Sequence, residues 1–397
     1  MNRTIEQPRV RSAFLPFNRP DITEAEIEEV VDTLRSGWLT TGPKTRQFEA
    51  QFAEYVGARF AVAVNSCTAG LHVALAAAGI GPGDEVIVPT MTFAATANVV
   101  LHQQARPVFV DVLPGTLNMD PAAAAAAVTP RTKAMIPVHL YGHPCRMDAL
   151  CDIAWSNQLL LIEDAAHAIG AMWRGQCIGQ IGDVTAFSFY ATKNLATGEG
   201  GMVTTDNAVL ADKMRCFSLH GLSRGAWDRY AQQGSWYYEV VQPGFKYNMT
   251  DIQAALGLVQ LARLSQMQAR RQQIAAMYTA GLRDVTAVEL PVRHADVLHA
   301  WHLYPIRLRL ERLCIDRAQF IEALRAEGIG SSVHFIPLHR HPLYRRRFAL
   351  RTIDFPVADA AYERLISLPL YSRMTDDDVA DVIAAVQGLV RRYARFT

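Results

Sequence analysis

The sequence has no excess of charge of either sign. Its 39 Lys and Arg residues are balanced by 38 Asp and Glu residues, for a formal net charge of +1. Electrostatic binding to nucleic acids or to membrane surfaces requires a basic excess or a long basic cluster. The balance therefore argues against both kinds of partner.

Cysteine and long apolar runs are also scarce. Six cysteines in 397 residues, without a C-x-x-C pair, provide neither a disulfide framework nor a zinc pattern. No apolar run approaches the roughly 18 residues of a membrane span. The opening stretch MNRTIEQPRVRSAF has no apolar core of the kind found in secretory signals. We therefore predict no membrane partner and a cytoplasmic location.

Two histidine-containing stretches offer side chains that can bind metals. They are HLYGHPC and HFIPLHRH, with candidate ligands His139, His143, Cys145, His334, His339 and His341. Each stretch contains a proline, so the helical spacing that brings two histidines to one metal ion is not secured. We predict no metal site.

Short apolar runs alternate with helical stretches through the first half of the chain. The runs are RFAVAV, EVIVP, PVFVDV, AMIPVHL and LLLIED. They are continuous rather than alternating in polarity, which is typical of strands buried on both faces of a parallel sheet. The pattern predicts an α/β fold with a mostly parallel sheet sandwiched by helices.

The rest of the chain predicts a second, smaller unit. A long helical stretch begins at about Asp251, and mixed strand and helix patterns follow it. We place the boundary inside this helix, with a large cofactor-binding domain over 1–260 and a small α+β domain over 261–397. The N-terminal segment is expected to pack on the small domain.

One predicted strand end carries an anion site. NSCTAGL follows the run RFAVAV, so the amides of Thr68 and Ala69 open a helix, and helix N-termini bind anions. The alternative is that Ser66 is only an N-cap residue. Ligands of open α/β sheets collect at such strand ends.

Two further strand ends carry an acid and an amine. LLLIEDAAHAIG ends its strand at Asp164, and His167 follows three residues later. A buried acid needs a cationic partner, either a ring nitrogen or a structural lysine or arginine. Lys193 lies on a turn after FSFYAT. An anion site, a carboxylate and an amine together match pyridoxal phosphate, which has a phosphate, a basic ring nitrogen and an aldehyde.

Several motifs resemble one enzyme family along nearly the full chain. They are GWLTTGPKTRQFE, NSCTAGLH, GPGDEVIVPTMTF, PVFVDV, IEDAAHAIGA, FSFYATKN, GEGGMVTT and GFKYNMTDIQAALGLVQL. Their order and spacing resemble the DegT/DnrJ/EryC1/StrS sugar aminotransferases, which are pyridoxal phosphate-dependent enzymes of fold type I. Within the family the chain is most similar to enzymes that aminate C4 of UDP-linked 4-keto sugars.

The resemblance implies roles for residues around the cofactor ring. Lys193 is the Schiff-base lysine and moves protons between cofactor and substrate carbons. Asp164 pairs with the pyridinium nitrogen, and His167 lies by the phenolic oxygen. Phe93 stacks on the ring where close relatives carry tryptophan.

The resemblance also implies how the phosphate is bound. Thr68 and Ala69 supply amides and Ser188 supplies its hydroxyl. Asn248 reaches the phosphate from the second subunit, so the resemblance implies a homodimer with shared active sites. The candidate substrate residues are Arg229, Tyr230 and His334.

The function implied is transfer of an amino group from glutamate, with release of 2-oxoglutarate, to a UDP- or dTDP-linked 4-keto sugar in amino-sugar biosynthesis. Pyridoxamine phosphate is the amine form of the cofactor. Three alternatives remain at this stage. They are amination at C3, dehydration by a relative whose lysine is replaced by histidine, and a non-catalytic regulatory protein. The presence of Lys193 argues against dehydration.

Overall fold

The structure is a computed structural model that describes residues 11, 13–223 and 237–395. Its α-helices within these residues are α1 (Glu24–Ser36), α2 (Pro43–Val56), α3 (Cys67–Ala77), α4 (Ala94–His102), α5 (Pro121–Ala126), α6 (Met147–Ser156), α7 (Ala208–Ser218), α8 (Asp251–Leu282), α9 (Arg317–Ala326), α10 (Pro342–Phe348), α11 (Pro356–Tyr362) and α12 (Asp376–Arg392). Its strands are β1 (Phe60–Val64), β2 (Glu85–Pro89), β3 (Arg106–Val110), β4 (Thr132–Met135), β5 (Leu160–Asp164), β6 (Met172–Trp173), β7 (Gln176–Cys177), β8 (Val184–Ser188), β9 (Gly201–Thr205), β10 (Val288–Glu289), β11 (Val297–Leu298), β12 (Tyr304–Leu308) and β13 (Leu365–Leu368).

Seven strands form the main sheet, in the order β1-β9-β8-β5-β4-β2-β3. The neighbouring strands β8, β5, β4, β2 and β3 pair in parallel, whereas β9 is antiparallel to both β8 and β1. The predicted α/β class with a mostly parallel sheet is confirmed.

Helices cover both faces of this sheet, which explains why its strands are continuously apolar. Along β1, Ala61 and Ala63 pack in one core with α2 and α8, while Val62 and Val64 pack in the other with α3 and α7. Successive side chains of a strand point to opposite faces. Both faces of β1 are therefore shielded from solvent.

The C-terminal part has its own core around the antiparallel sheet β10-β12-β13, packed by α9, α12 and the second half of α8. A third small sheet has the order β11-β6-β7. Helix α8 runs unbroken for 32 residues, and the predicted division after residue 260 falls within it. The division stays a prediction.

The N-terminal segment lies against this C-terminal part. Leu15 donates its backbone N–H to Gly328 O at 2.9 Å and accepts from Gly330 N at 2.8 Å. Its side chain is buried in the same core as β12 and α12. In the part of the chain that the structure describes, none of the helices combines the length and apolar character that a bilayer crossing requires.

Candidate active site

A cavity of about 440 Å³ opens at the carboxyl ends of the main-sheet strands. Segments that follow β1, β2, β4, β5 and β8 line it, together with residues of the C-terminal part. The predicted site residues that line it are Thr68, Phe93, Asp164, His167, Ser188, Lys193 and His334. Residues far apart in the sequence thus meet at one edge of the sheet.

Lys193 lies on the turn after β8, where its backbone N–H donates to Tyr190 O at 2.8 Å. Burial lowers the pKa of its amine to about 8, although Cys67 and Asp164 oppose the shift. Water-exposed lysines have a pKa near 10.4. A much larger fraction of the amine is therefore neutral at physiological pH, as a nucleophile requires.

Asp164 ends β5 and is 5% exposed. Its carboxylate accepts from the Thr96 hydroxyl at 2.8 Å and from the Ala166 N–H at 3.2 Å. Burial raises the pKa of this carboxyl despite those bonds and the charge of Lys193. Among the described residues no basic side chain forms an ion pair with it, so the carboxylate suits a cationic ligand.

His167 is buried three residues after Asp164. Its Nδ1 accepts the backbone N–H of Tyr141 at 3.2 Å, which places the ring proton on Nε2. Burial, with Lys193 and His334 nearby, lowers the pKa of His167 well below its usual range. The imidazole is therefore neutral and has one N–H to donate.

The N-terminus of α3 forms another part of the wall. Ser66 is its N-cap residue and accepts the Ala69 N–H through Oγ at 3.1 Å. The amide that was expected to serve an anion is thus already bonded within this chain. The Thr68 amide, earlier in the same first turn, has no partner inside the helix, and the Ser188 hydroxyl lines the same cavity.

Gly201 allows β9 to approach this helix end closely. A Cβ atom at Gly201 would lie 2.6 Å from the carbonyl carbon of Ser66 and 2.7 Å from the Cys67 nitrogen. Both are backbone atoms that cannot move without displacing the helix. The motif GEGG therefore permits the contact between the strand and the cavity wall.

Aromatic rings form the rim. Phe93 is 60% exposed and its ring centroid lies 5.6 Å from that of Phe335. His334 stacks on Phe17 at 5.3 Å, and its Nδ1 lies 3.0 Å from Ser367 Oγ. Burial and the nearby Lys193 lower the pKa of His334 to about 4, so the ring is neutral.

Of the predicted site residues that the structure describes, Ala69 and Asn248 do not line the cavity. Asn248 donates to Thr41 Oγ1 at 2.7 Å and accepts from Lys246 Nζ. Its place outside its own chain's cavity is compatible with a role in a neighbouring subunit. Arg229 and Tyr230 lie outside the described residues.

Sequence reasoning missed several residues of the cavity and its surroundings, among them His302, Phe335, Thr96 and Tyr141. His302 precedes β12 in the stretch WHLYP, which reads as the start of a strand. No local pattern signals that it meets His167, whose ring centroid is 4.4 Å away. Only the tertiary fold brings them together.

Two of the histidines that were considered as metal ligands, His139 and His339, have other polar partners. His139 Nε2 lies 2.7 Å from Glu163, and both side chains are fully buried. His339 lies 2.8 Å from Thr90 Oγ1 and 3.3 Å from Asp359. Over residues 11, 13–223 and 237–395, no group of three or more metal-binding side chains is placed to hold an ion.

Comparison with known proteins places this geometry in a family. The model of the DegT/DnrJ/EryC1/StrS aminotransferase family matches residues 20–387. The chain belongs to this family.

Relatives cover nearly the whole chain. The spore coat polysaccharide biosynthesis protein SpsC of Bacillus subtilis is 55% identical over 382 residues, which is 96% of this chain and 98% of SpsC. The PLP-form of Spr1654 from Streptococcus pneumoniae superposes with a TM-score of 0.89 at 37% identity, covering 96% of this chain and 99% of that one. DesV of S. venezuelae, solved with a ketimine intermediate, gives 0.85 at 36%, covering 94% and 95%.

The family is pyridoxal phosphate-dependent, and the residues of the cavity fit that cofactor. A helix N-terminus and a serine hydroxyl offer donors to a phosphate. The buried carboxylate of Asp164, which has no ion-pair partner within the described part of the chain, suits a protonated ring nitrogen. The amine with the lowered pKa suits an aldehyde. Each of the cofactor's three functional groups thus has a complementary group in one cavity.

Proposed function

We propose that the protein transfers an amino group from glutamate to C4 of a keto sugar carried on UDP or dTDP, in cytoplasmic amino-sugar biosynthesis. Membership of the DegT/DnrJ/EryC1/StrS family supports a sugar aminotransferase activity. The observation that carries the proposal is the single cavity that joins Lys193, Asp164 and the α3 N-terminus. SpsC, a polysaccharide biosynthesis protein, supports a sugar acceptor.

The cofactor, when bound, supplies an aldehyde that takes up the amino group and a ring that withdraws electrons from the reacting carbon. Asp164 holds the ring nitrogen protonated, because a carboxylate in a dry site stabilises an adjacent cation. Thr68 donates its amide and Ser188 its hydroxyl to the phosphate. Phe93, at the cavity rim, would pack against the ring.

Lys193 acts as the nucleophile and then as the proton carrier. With a pKa of about 8, the amine can both release and accept a proton near neutral pH. His167 is neutral and donates a hydrogen bond through Nε2, which suits a phenolic oxygen. The rings of His167 and Phe335 stack at 5.7 Å, which holds the imidazole against rotation.

The acceptor binds at the aromatic rim. Phe93 and Phe335 offer apolar surface at the mouth of the cavity, where a sugar ring or a base can pack, and Phe17 stacks on His334. His334 adds a neutral polar group beside them. Arg229 and Tyr230 are proposed to contact the diphosphate or the sugar.

Amination at C3 is the main alternative for the acceptor, and a ligand-sensing protein without turnover is the alternative for the activity as a whole. Both keep the same cofactor site. The assembled lysine, aspartate and anion-binding helix end favour turnover over sensing.

The test is to incubate the purified protein with ¹⁵N-labelled glutamate and a panel of 3-keto and 4-keto sugar nucleotides, and to read the products by mass spectrometry and NMR. We expect ¹⁵N at C4 of a UDP- or dTDP-linked sugar. Lys193→Ala should give no product, while Lys213→Ala, a lysine that contacts Ala77 O outside the cavity, should leave turnover unchanged. Label at C3 would overturn the regiochemistry, and label in no sugar would overturn the activity.

A further inference from the structure

The turn that carries Lys193 is bonded on both sides to distant parts of the chain. On one side, Asn18 Nδ2 donates to the backbone oxygen of Thr192 at 3.1 Å. On the other, His302 Nδ1 lies 3.1 Å from Asn194 Oδ1. The residues before and after Lys193 are therefore both held from outside the main sheet.

The direction of the His302 bond follows from its neighbours. Asn194 donates its amide N–H groups to Ala300 O at 2.8 Å and to Gln268 Oε1 at 3.2 Å, which turns its Oδ1 towards His302. Gln268 is fixed in turn by donating to Ala300 O at 2.7 Å. His302 Nδ1 must then carry the proton and donate it.

His302 is suited to a fixed bond of this kind. It is 3% exposed, and burial with His167 and Lys193 nearby lowers its pKa well below the usual range. The ring therefore stays neutral, with one donor nitrogen, throughout the working pH range. A buried, neutral donor with one acceptor keeps its geometry better than a charged, hydrated one.

Both donors are tied to the C-terminal part of the molecule. Asn18 lies three residues after Leu15, which is bonded to Gly328 and Gly330. His302 lies two residues before β12. A lysine side chain has four rotatable carbons, so the position of its amine depends on how well its backbone is fixed.

We propose that Asn18 and His302 are positioning residues that hold the two neighbours of Lys193 and so fix where its amine meets the aldehyde of the cofactor. The proposal rests on the proposed function, because it takes Lys193 as the reacting amine. The position of the Lys193 amine then depends on two segments outside the main sheet, the N-terminal segment that carries Asn18 and the segment before β12 that carries His302.

The experiment measures the reactivity of Lys193 in the full, cofactor-free chain. Pyridoxal, which lacks the phosphate, condenses with an amine with loss of water. Borohydride then reduces the C=N bond, and the labelled peptide is identified by mass spectrometry. Rates are measured over a range of pH and compared at the high-pH plateau, where the amine is fully neutral in every variant. The comparison thereby separates position from pKa and from phosphate binding.

Four variants test the bonds. His302→Leu and Asn18→Ala each remove one link, and each should slow labelling of Lys193 roughly tenfold or more, since small misplacements of reacting groups are costly. His302→Asn keeps an N–H close to the Nδ1 position and should restore most of the rate. Asn157→Ala removes a comparable bond, to Ile153 O on α6, and should change nothing.

Labelling of His302→Leu and Asn18→Ala at the wild-type rate, or loss of rate in His302→Asn as large as in His302→Leu, would overturn the positioning role. If circular dichroism shows that His302→Leu does not fold, the comparison of Asn18→Ala with Asn157→Ala decides alone. A wild-type chain that pyridoxal does not label at Lys193 would instead contradict the proposed function.

Discussion

At the residue scale, the cavity combines groups whose protonation is set by burial. The acid Asp164 has a raised pKa and the amine Lys193 a lowered one, so burial disfavours the charged form of both. The sequence predicted both residues because each follows an apolar run at a strand end. It could not predict His302, since its contact with Asn194 joins positions 108 residues apart.

Replacing Asp164 tests the role of its charge. Asp164→Asn keeps the shape and can keep the bond from Thr96, but it removes the negative charge that is proposed to pair with the ring nitrogen. We expect turnover with glutamate to fall roughly 10²–10³-fold, a loss typical of a preorganised electrostatic group. The dissociation constant of the cofactor should change far less.

The control is Asp183→Asn, whose carboxylate accepts the Leu161 N–H away from the cavity. It should leave turnover unchanged. If Asp164→Asn kept its rate and only bound the cofactor more weakly, Asp164 would be a packing residue.

The buried amine of Lys193 should also appear in the pH dependence of stability. Its pKa is about 8 in the folded chain and near 10.5 when unfolded. Between these values the unfolded chain binds more protons, so the stability of the wild type rises with pH in this window. Burying the ammonium costs most below pH 8, at about 3 kcal/mol or less for this shift.

Lys193→Met removes that cost. Without cofactor, the variant should melt at a higher temperature than the wild type below pH 8, and the difference should shrink as pH rises from 8 to 10.5. Calorimetry across the range measures it. A difference that does not vary with pH would show that the Lys193 ammonium is not desolvated.

At the element scale, apolar runs predicted strands well where both faces of the sheet are covered. EVIVP is β2 at its full length, while only Ala134 and Met135 of AMIPVHL belong to β4, which ends before Pro137, a residue without an N–H for the ladder. Helix α1 begins after its N-cap residue Thr23, whose backbone N–H donates to the Glu26 carboxylate at 2.8 Å, and a threonine followed three residues later by a glutamate is a local pattern typical of a helix start. The reversed direction of β9 depends on the tertiary fold, because apolar periodicity carries no strand direction.

The close approach of β9 to α3 gives a prediction for Gly201. Gly201→Ala puts a Cβ against the backbone of Ser66 and Cys67, and overpacking of this kind costs about 1–3 kcal/mol. Because the displaced atoms belong to the helix end that is proposed to bind the cofactor phosphate, cofactor affinity should fall along with the melting temperature.

The matched control is Gly81→Ala, where a Cβ would meet only Gln103 O at 3.9 Å. It should bind cofactor as the wild type does. If Gly201→Ala melted earlier yet bound the cofactor with unchanged affinity, the α3 N-terminus would not be part of the phosphate site.

At the scale of the whole molecule, the family resemblance assigns Asn248 to the phosphate site, but the cavity of a single chain does not contain this residue. Asn248 bonds to Thr41 and does not line the cavity of its own chain. Phe93 at the cavity rim and Val240, eight residues before Asn248, are 60% and 66% exposed. Val240 lies in a run of exposed aromatic and apolar side chains, Tyr237, Tyr238, Val240 and Val241, and such a cluster is typical of a surface that another protein covers.

We expect an obligate homodimer in which Asn248 of each chain completes the site of the other, since a two-fold pair is the simplest closed arrangement with that property. Lys193→Ala and Asn248→Trp chains should each be inactive alone. In a random mixture, half of the dimers are mixed and each has one site free of both changes, so about one quarter of the wild-type activity should return. Subunit exchange is confirmed independently by native mass spectrometry of chains with different tags. If the chains exchange and no activity returns, Asn248 acts within its own subunit and the sites are not shared.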